Sequence, residues 1–238
     1  MKSFLVISTD TPHHRHFLNR LADQGLLPVA CLMETHHHAP PFPVGPLFEE
    51  EEARFEAERF FKDTRADLER IPCQDHPSAN TPEAHALIRQ LRPALGVVFG
   101  AGKLTAATIA LFPDGLINVH RGLAQTYRGL DSDLWAIYHR DYEAIGVTIH
   151  RVEPELDTGE IVAQERMTLL PGMRCHQIRY YTTVIATRLV GAALHAYLAG
   201  HMTSCPQESL GRYYSFMPLA LKQIVATRFD RHCASLTP

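Results

Sequence analysis

Short apolar runs alternate along this chain with longer stretches in which apolar residues recur every three or four positions. Phe4 to Ser8 is a run of the first kind, as are Leu27 to Met33 and Leu95 to Phe99. Each predicts a buried strand. His14 to Gln24 is of the second kind, with Phe17, Leu18 and Leu21 on one face and Gly25 to stop it, so it predicts a helix. A β-α-β opening implies a parallel sheet with helices on its faces. Leu47 to Ile71 predicts one long amphipathic helix whose Glu49 to Glu52 suit the positive end of the helix dipole. Asn80-Thr81-Pro82-Glu83 has the form of a helix start and Arg92-Pro93 of its end.

In the second half, a short helix from Thr105 to Phe112 and a Pro113-Asp-Gly115 turn precede a strand ending in Asn118-Val-His120. Ser132 to Tyr138 predicts a helix with Trp135 buried. Strands over Gly146 to Val152 and Glu160 to Thr168 flank a turn at Leu156-Asp157-Thr158-Gly159. Cys175 to Leu198 predicts a long helix ended by Gly200, and Leu219 to Phe229 a short one in the remaining tail. The fold class expected is therefore α/β, a Rossmann-like, mainly parallel sheet with helices on both faces and a short C-terminal tail. Residues 1–200 are expected to form one catalytic unit and 201–238 an extension.

Composition narrows the function classes. A net charge of −3 over 238 residues supplies no basic field to recruit nucleic acid. Apolar runs fall short of the roughly 18 residues of a membrane span, and the N-terminus lacks a signal-peptide pattern. Five scattered cysteines without a Cys-x-x-Cys favour reduced thiols in a cytoplasm over a disulfide or zinc framework. His36-His37-His38 lies in a Pro-rich stretch without metal-ligand spacing, so no metal is expected. Gly100-Ala-Gly102 lacks the third glycine of a dinucleotide fingerprint and falls mid-chain. Such a loop instead lets main chain approach a flat ligand.

Strand alternation puts Asn118 and His120 on one face, and Asp157 arrives on a Gly-containing turn after the next strand. An amide, an imidazole and a carboxylate at strand ends suit a reaction centre. They equally suit polar residues that satisfy backbone groups, and spacing alone does not choose.

The wording around them does. Asn118-Val-His120, Tyr127-Arg-Gly129, Trp135-Ala, Gly146-Val-Thr-Ile-His150 and Leu156-Asp-Thr-Gly159 together resemble the catalytic half of the folate-dependent formyltransferases, with the blocks in the same order. Within that family the pattern is most similar to the sugar N-formyltransferases. The resemblance implies that Asn118, His120 and Asp157 are catalytic and that the formyl donor is N10-formyltetrahydrofolate. An amine attacks the formyl carbon, and Asn118 and His120 stabilise the resulting oxyanion. Either His120 or a water held by Asp157 takes the amine proton. The resemblance further implies a folate pocket of Phe99, Gly100, Ala101 and Gly102 with Glu153, Leu156 and Gly159. Where many members continue His-Pro-Ser-Leu-Leu-Pro, this chain has His120-Arg121-Gly122-Leu123-Ala124-Gln125, a variant that resembles the cell-surface-sugar branch.

The expected acceptor is an amino sugar linked to a nucleotide. Only 201–238 stands where methionyl-tRNA formyltransferases carry a tRNA-gripping barrel, so no nucleic-acid partner is expected. Thr9, Asp10, His13, His14, Arg15, Arg121, Tyr127 and Arg128 are the candidate acceptor-binding residues, the guanidiniums because planar forks suit phosphate oxygens. The expected setting is cytoplasmic, without a membrane partner, and a homodimer is compatible with the Tyr-rich tail. The alternatives are formylation of a small amine or amino acid intermediate, and a non-catalytic relative that binds a nucleotide sugar or folate.

Overall fold

A computed structural model describes residues 2–36, 39–62 and 66–237; His37 and His38 of the histidine run lie outside them. Seven strands form one sheet in the order β3-β2-β1-β4-β5-β7-β8. They are β1 (Phe4–Ser8), β2 (Cys31–Glu34), β3 (Cys73–His76), β4 (Leu95–Phe99), β5 (Leu116–His120), β7 (Gly146–Arg151) and β8 (Ile161–Arg166). The five strands from β3 to β5 pair parallel, and β7 and β8 add antiparallel. The expected mainly parallel, Rossmann-like sheet is present.

Helices cover both faces. Phe17, Leu18 and Leu21 of α1 (Pro12–Asp23) and Leu189, Val190 and Leu194 of the long helix α6 (Ile178–Ala199) pack on Val6, Val97, Ile117 and Ile149. On the other face Ala84 and Ile88 of α3 (Pro82–Leu91), with Leu104 and Phe112 around α4 (Ala106–Ile109), cover Leu5, Ile7, Leu32 and Val98. Neighbouring residues of β1 thus point into two different cores, which is why the strand is an unbroken apolar run. By length and composition Cys175–Ala199 would suffice to cross a membrane, but more than half of its most apolar 18-residue stretch is buried in the protein.

The helix ends follow local chemistry. Thr81 Oγ1 accepts the Ala84 N–H to cap α3, and Gly200 closes α6 at φ 86°. Three expectations shift. Helix α2 spans only Glu49–Phe60, because Leu68 and Ile71 reach the core from irregular backbone after it. Strand β2 begins at Cys31, after exposed Leu27 and buried Pro28. Trp135 of α5 (Ser132–Tyr138) is half-buried, donating its indole N–H to the Ser215 carbonyl. The polar edge strand β3 has no apolar alternation and was not anticipated.

The tail is tied into the fold. Strand β9 (Arg212–Tyr214) pairs parallel with β6 (Tyr127–Gly129) as a second small sheet. Helix α7 (Leu219–Ala234) buries Val225, Phe229 and Cys233 against Leu134 and Ile137 of α5.

Candidate active site

Asn118 and His120 sit at the carboxyl end of β5 and point to the same side, as the alternation required. Asp157 follows β7 in a turn where its backbone adopts φ 57°, the left-handed region that non-glycine residues occupy at a cost. That turn is pinned from two sides. Gln207 donates to the carbonyls of Asp157 and Gly159, and Arg128 donates to the Leu156 carbonyl at 3.1 Å. Gly159 admits no side chain, since a Cβ there would lie 2.0 Å from the Arg151 carbonyl oxygen.

The three residues converge, with a fourth. Asp157 Oδ2 lies 3.3 Å from His120 Nδ1 and accepts the Gly129 N–H at 2.7 Å. Its Oδ1 lies 3.1 Å from His150 Nε2, which is also 3.2 Å from Asn118 Nδ2. His150 donates from Nδ1 to the Arg151 carbonyl at 2.7 Å, so Nε2 is the atom it turns toward the cluster. His150 stood in the Gly-Val-Thr-Ile-His block, yet nothing in the sequence singled it out for the site. The missing signal was register: antiparallel pairing sets it directly opposite Asn118.

Electrostatics give the two acid–base groups different characters. Burial lowers the His120 pKa, more than the neighbouring Asp157 carboxylate raises it. Burial would raise Asp157, but the His120 imidazole, His150 and the Gly129 N–H bring it down to about 2. His120 therefore favours the neutral ring, and Asp157 is a carboxylate. Because the Tyr127 carbonyl can only accept, His120 Nε2 carries the proton in their 2.8 Å bond. The neutral ring then turns the lone pair of Nδ1 toward Asp157. A proton arriving at Nδ1 would be stabilised at once by that carboxylate.

The other candidates divide. Phe99 is buried, with the His14 ring edge-on at 4.6 Å. Gly100 (φ 78°) and Gly102 expose main chain, although the Gly102 N–H is already held by buried Glu34 at 2.7 Å. Ala101 and Leu156 are half-buried and Glu153 is exposed. Thr9, His13 and His14 are buried at the start of α1. Both rings are driven well below the usual histidine range, by burial first and then by Arg179 or the other histidine, with Arg121 adding to it. They are neutral at pH 7. Asp10 and Arg15 pair bidentately with each other, and Arg15 also donates to the Ala66 carbonyl. Arg128 is committed to Gly211 and Leu156, and Tyr127 is buried in a stack on Tyr214. Arg121 is half-buried and carries no hydrogen bond or ion pair among the described residues. It does lie within electrostatic reach of Glu52 and Asp131, whose carboxyl pKa values burial raises and Arg121 lowers.

Comparison with known proteins decides the lineage. The formyl transferase family model matches residues 44–184. The chain belongs to the formyl transferase family. A methionyl-tRNA formyltransferase of Roseiflexus sp. (strain RS-1) is 32% identical over 139 residues, covering 58% of this chain and 42% of that protein. The chain thus spans less than half the length of the curated relative it matches. A 4-N formyltransferase from Francisella tularensis has the same fold, with TM-score 0.65 and 17% identity over 95% of this chain and 87% of that one. So does a formyltransferase from Anoxybacillus kamchatkensis in complex with UDP-4,6-dideoxy-4-formamido-L-AltNAc and tetrahydrofolate, with TM-score 0.55 and 16% identity over 90% of this chain and 85% of that one. Among the described residues, no group of three or more His, Cys, Asp or Glu side chains is placed to hold a metal ion.

Proposed function

We propose that this protein transfers a formyl group from N10-formyltetrahydrofolate to the amine of a nucleotide-linked amino sugar. The observation that carries the reading is the closed cluster of Asn118, His120, His150 and Asp157, which joins a proton-accepting nitrogen to a carboxylate. When bound, the donor supplies an activated formyl carbon. Exposed main chain at Gly100 and Gly102 and the exposed residues 153–155 suit its flat polar edge. The Asn118 carboxamide supplies N–H groups for an oxygen that gains negative charge. His120 Nδ1 takes the amine proton, and Asp157 holds the resulting imidazolium. Residues 1–200 carry this chemistry, and 201–238 brace it through β9.

The acceptor reading draws on Arg121, one residue from His120, whose guanidinium makes no hydrogen bond among the described residues and suits a phosphate oxygen. It draws also on the shared fold with the Anoxybacillus kamchatkensis enzyme and its UDP-linked formamido sugar. The setting proposed is cytoplasmic, where folate and nucleotide sugars meet. The test is incubation with N10-formyltetrahydrofolate and a panel of nucleotide-linked amino sugars, free amino acids and methionyl-tRNA. A formyl mass gain on a sugar nucleotide supports the reading. Transfer to methionyl-tRNA or to an amino acid alone overturns the acceptor, and transfer to none overturns the activity.

A further inference from the structure

The five cysteines looked scattered in sequence, but the sheet brings two of them side by side. Cys31 opens β2 and Cys73 opens β3, and the two are register partners in the parallel pairing. Residues opposed in adjacent strands share a face, with strands about 4.8 Å apart. That separation falls inside the roughly 4.4–6.8 Å over which Cα atoms are spanned by a disulfide. The two thiols are close enough to perturb each other's ionisation, Cys31 upward and Cys73 downward. Their surroundings differ sharply. Cys31 is fully buried among core side chains, with Met33 Sδ 3.8 Å from its sulfur, whereas Cys73 is exposed. Strand β3 is the sheet's outer edge, and among the described residues it pairs only with β2.

We propose that Cys31 and Cys73 form a site of oxidative modification, at which a low-molecular-weight disulfide converts the two thiols into a cross-strand disulfide. Cys73 reacts first, because it is accessible. Its thiol pKa is also lowered, by the neighbouring Cys31 thiol first and then by the Arg15 guanidinium. Cys73 Sγ attacks one sulfur of the reagent, breaks its S–S bond and expels one thiolate. Cys31 then attacks Cys73 Sγ in the mixed disulfide, and its proton passes to the second thiolate as that is expelled. Two protein thiols are oxidised and one external disulfide is reduced to two thiols. The bond would clamp the edge strand to β2 just before Glu34, whose carboxylate holds the Ala79 and Gly102 N–H groups.

The experiment exposes the full-length protein to excess oxidised glutathione, blocks the remaining thiols, and maps peptides without reduction. The expected result is loss of two of the five thiols to a linked Cys31–Cys73 peptide, fully restored by dithiothreitol. In Cys31→Ala the reaction should stop at a stable glutathione adduct on Cys73. Exposed Cys205, bridged to Ile161 instead of another cysteine, should carry an adduct in both proteins and so reports that the reagent works. A persistent adduct on Cys73 of the unsubstituted chain overturns the proposal. So do Cys31 and Cys73 that remain alkylatable after Cys205 has reacted. Neither outcome touches the formyl-transfer reading, since no step depends on activity.

Discussion

Asn118 and His150 face each other across β5 and β7 as register partners, and their side chains meet at 3.2 Å. The carboxamide proposed to face the reacting oxygen is thereby oriented by the same imidazole that reaches Asp157 Oδ1. The neutral ring accepts the Asn118 N–H at Nε2, and the protonated ring donates from the same atom to Asp157, so one histidine stands between amide and carboxylate. A one-residue slip of β7 would turn His150 to the opposite face and uncouple both.

Direct removal of the proposed chemistry is the plainest test. Asn118→Ala and Asp157→Asn should each lower kcat by on the order of a hundredfold or more, with far-ultraviolet circular dichroism unchanged. Near-normal turnover in both would move the reaction elsewhere.

His150 is expected to act by positioning. His150→Ala should lower kcat roughly tenfold with little change in KM, because no substrate contact is assigned to it. Steady-state kinetics separate the two parameters. A large rise in KM with kcat unchanged would make His150 a binding residue instead.

The depressed Asp157 carboxyl gives a pH signature. Its folded pKa of about 2 lies below the ordinary value of about 3.9, so its stabilisation is fully present above pH 4 and is lost as pH falls through about 2. The stability advantage of the native chain over Asp157→Asn should therefore be largest above pH 4 and shrink toward pH 2. Urea midpoints across that window would show it, and a constant gap would sink the assignment.

Gly129 has a stricter requirement than its neighbours. Its φ is 90°, its N–H binds Asp157, and a Cβ would lie 2.1 Å from the Tyr214 carbonyl oxygen. Gly129→Ala should cost roughly 2 kcal/mol or more in unfolding free energy and reduce activity along with it. Thermal melts and turnover at a permissive temperature would report the two losses.

Arg179 closes a buried charge network, paired with Glu52 at 2.6 Å and bidentately with fully buried Glu56. Arg179→Met strips both acids of their paired guanidinium and should cost roughly 3–5 kcal/mol. Adding Glu52→Gln and Glu56→Gln should recover much of that loss in urea unfolding. Failure to recover would mean that Arg179 stabilises by packing and not by charge.

The sequence disclosed those elements whose burial is regular. Strands β1 and β4 and helix α5 emerged at their true limits, because both faces of the strands and one stripe of the helix meet apolar partners. Strand β3 left no such trace: it lies at the sheet's edge, largely exposed, and nothing in its composition marks a strand. At the site, Asn118, His120 and Asp157 were legible through their motifs, and the geometry gathers them. His150 and Glu34 were not, because each reaches its partners through a pairing formed at long range. Arg15 and Arg128 looked equivalent to Arg121 along the chain. Only folding commits Arg15 to Asp10 and Arg128 to Gly211 and Leu156.

Strand β9 has a consequence in time as well as in space. It pairs with β6, the strand whose Tyr127 carbonyl and Gly129 N–H fix His120 and Asp157. Translation delivers those residues long before Arg212 to Tyr214 leave the ribosome. The nascent chain thus carries all four polar side chains of the centre while the segment that braces them is still unmade, and the site matures only once that segment has been added.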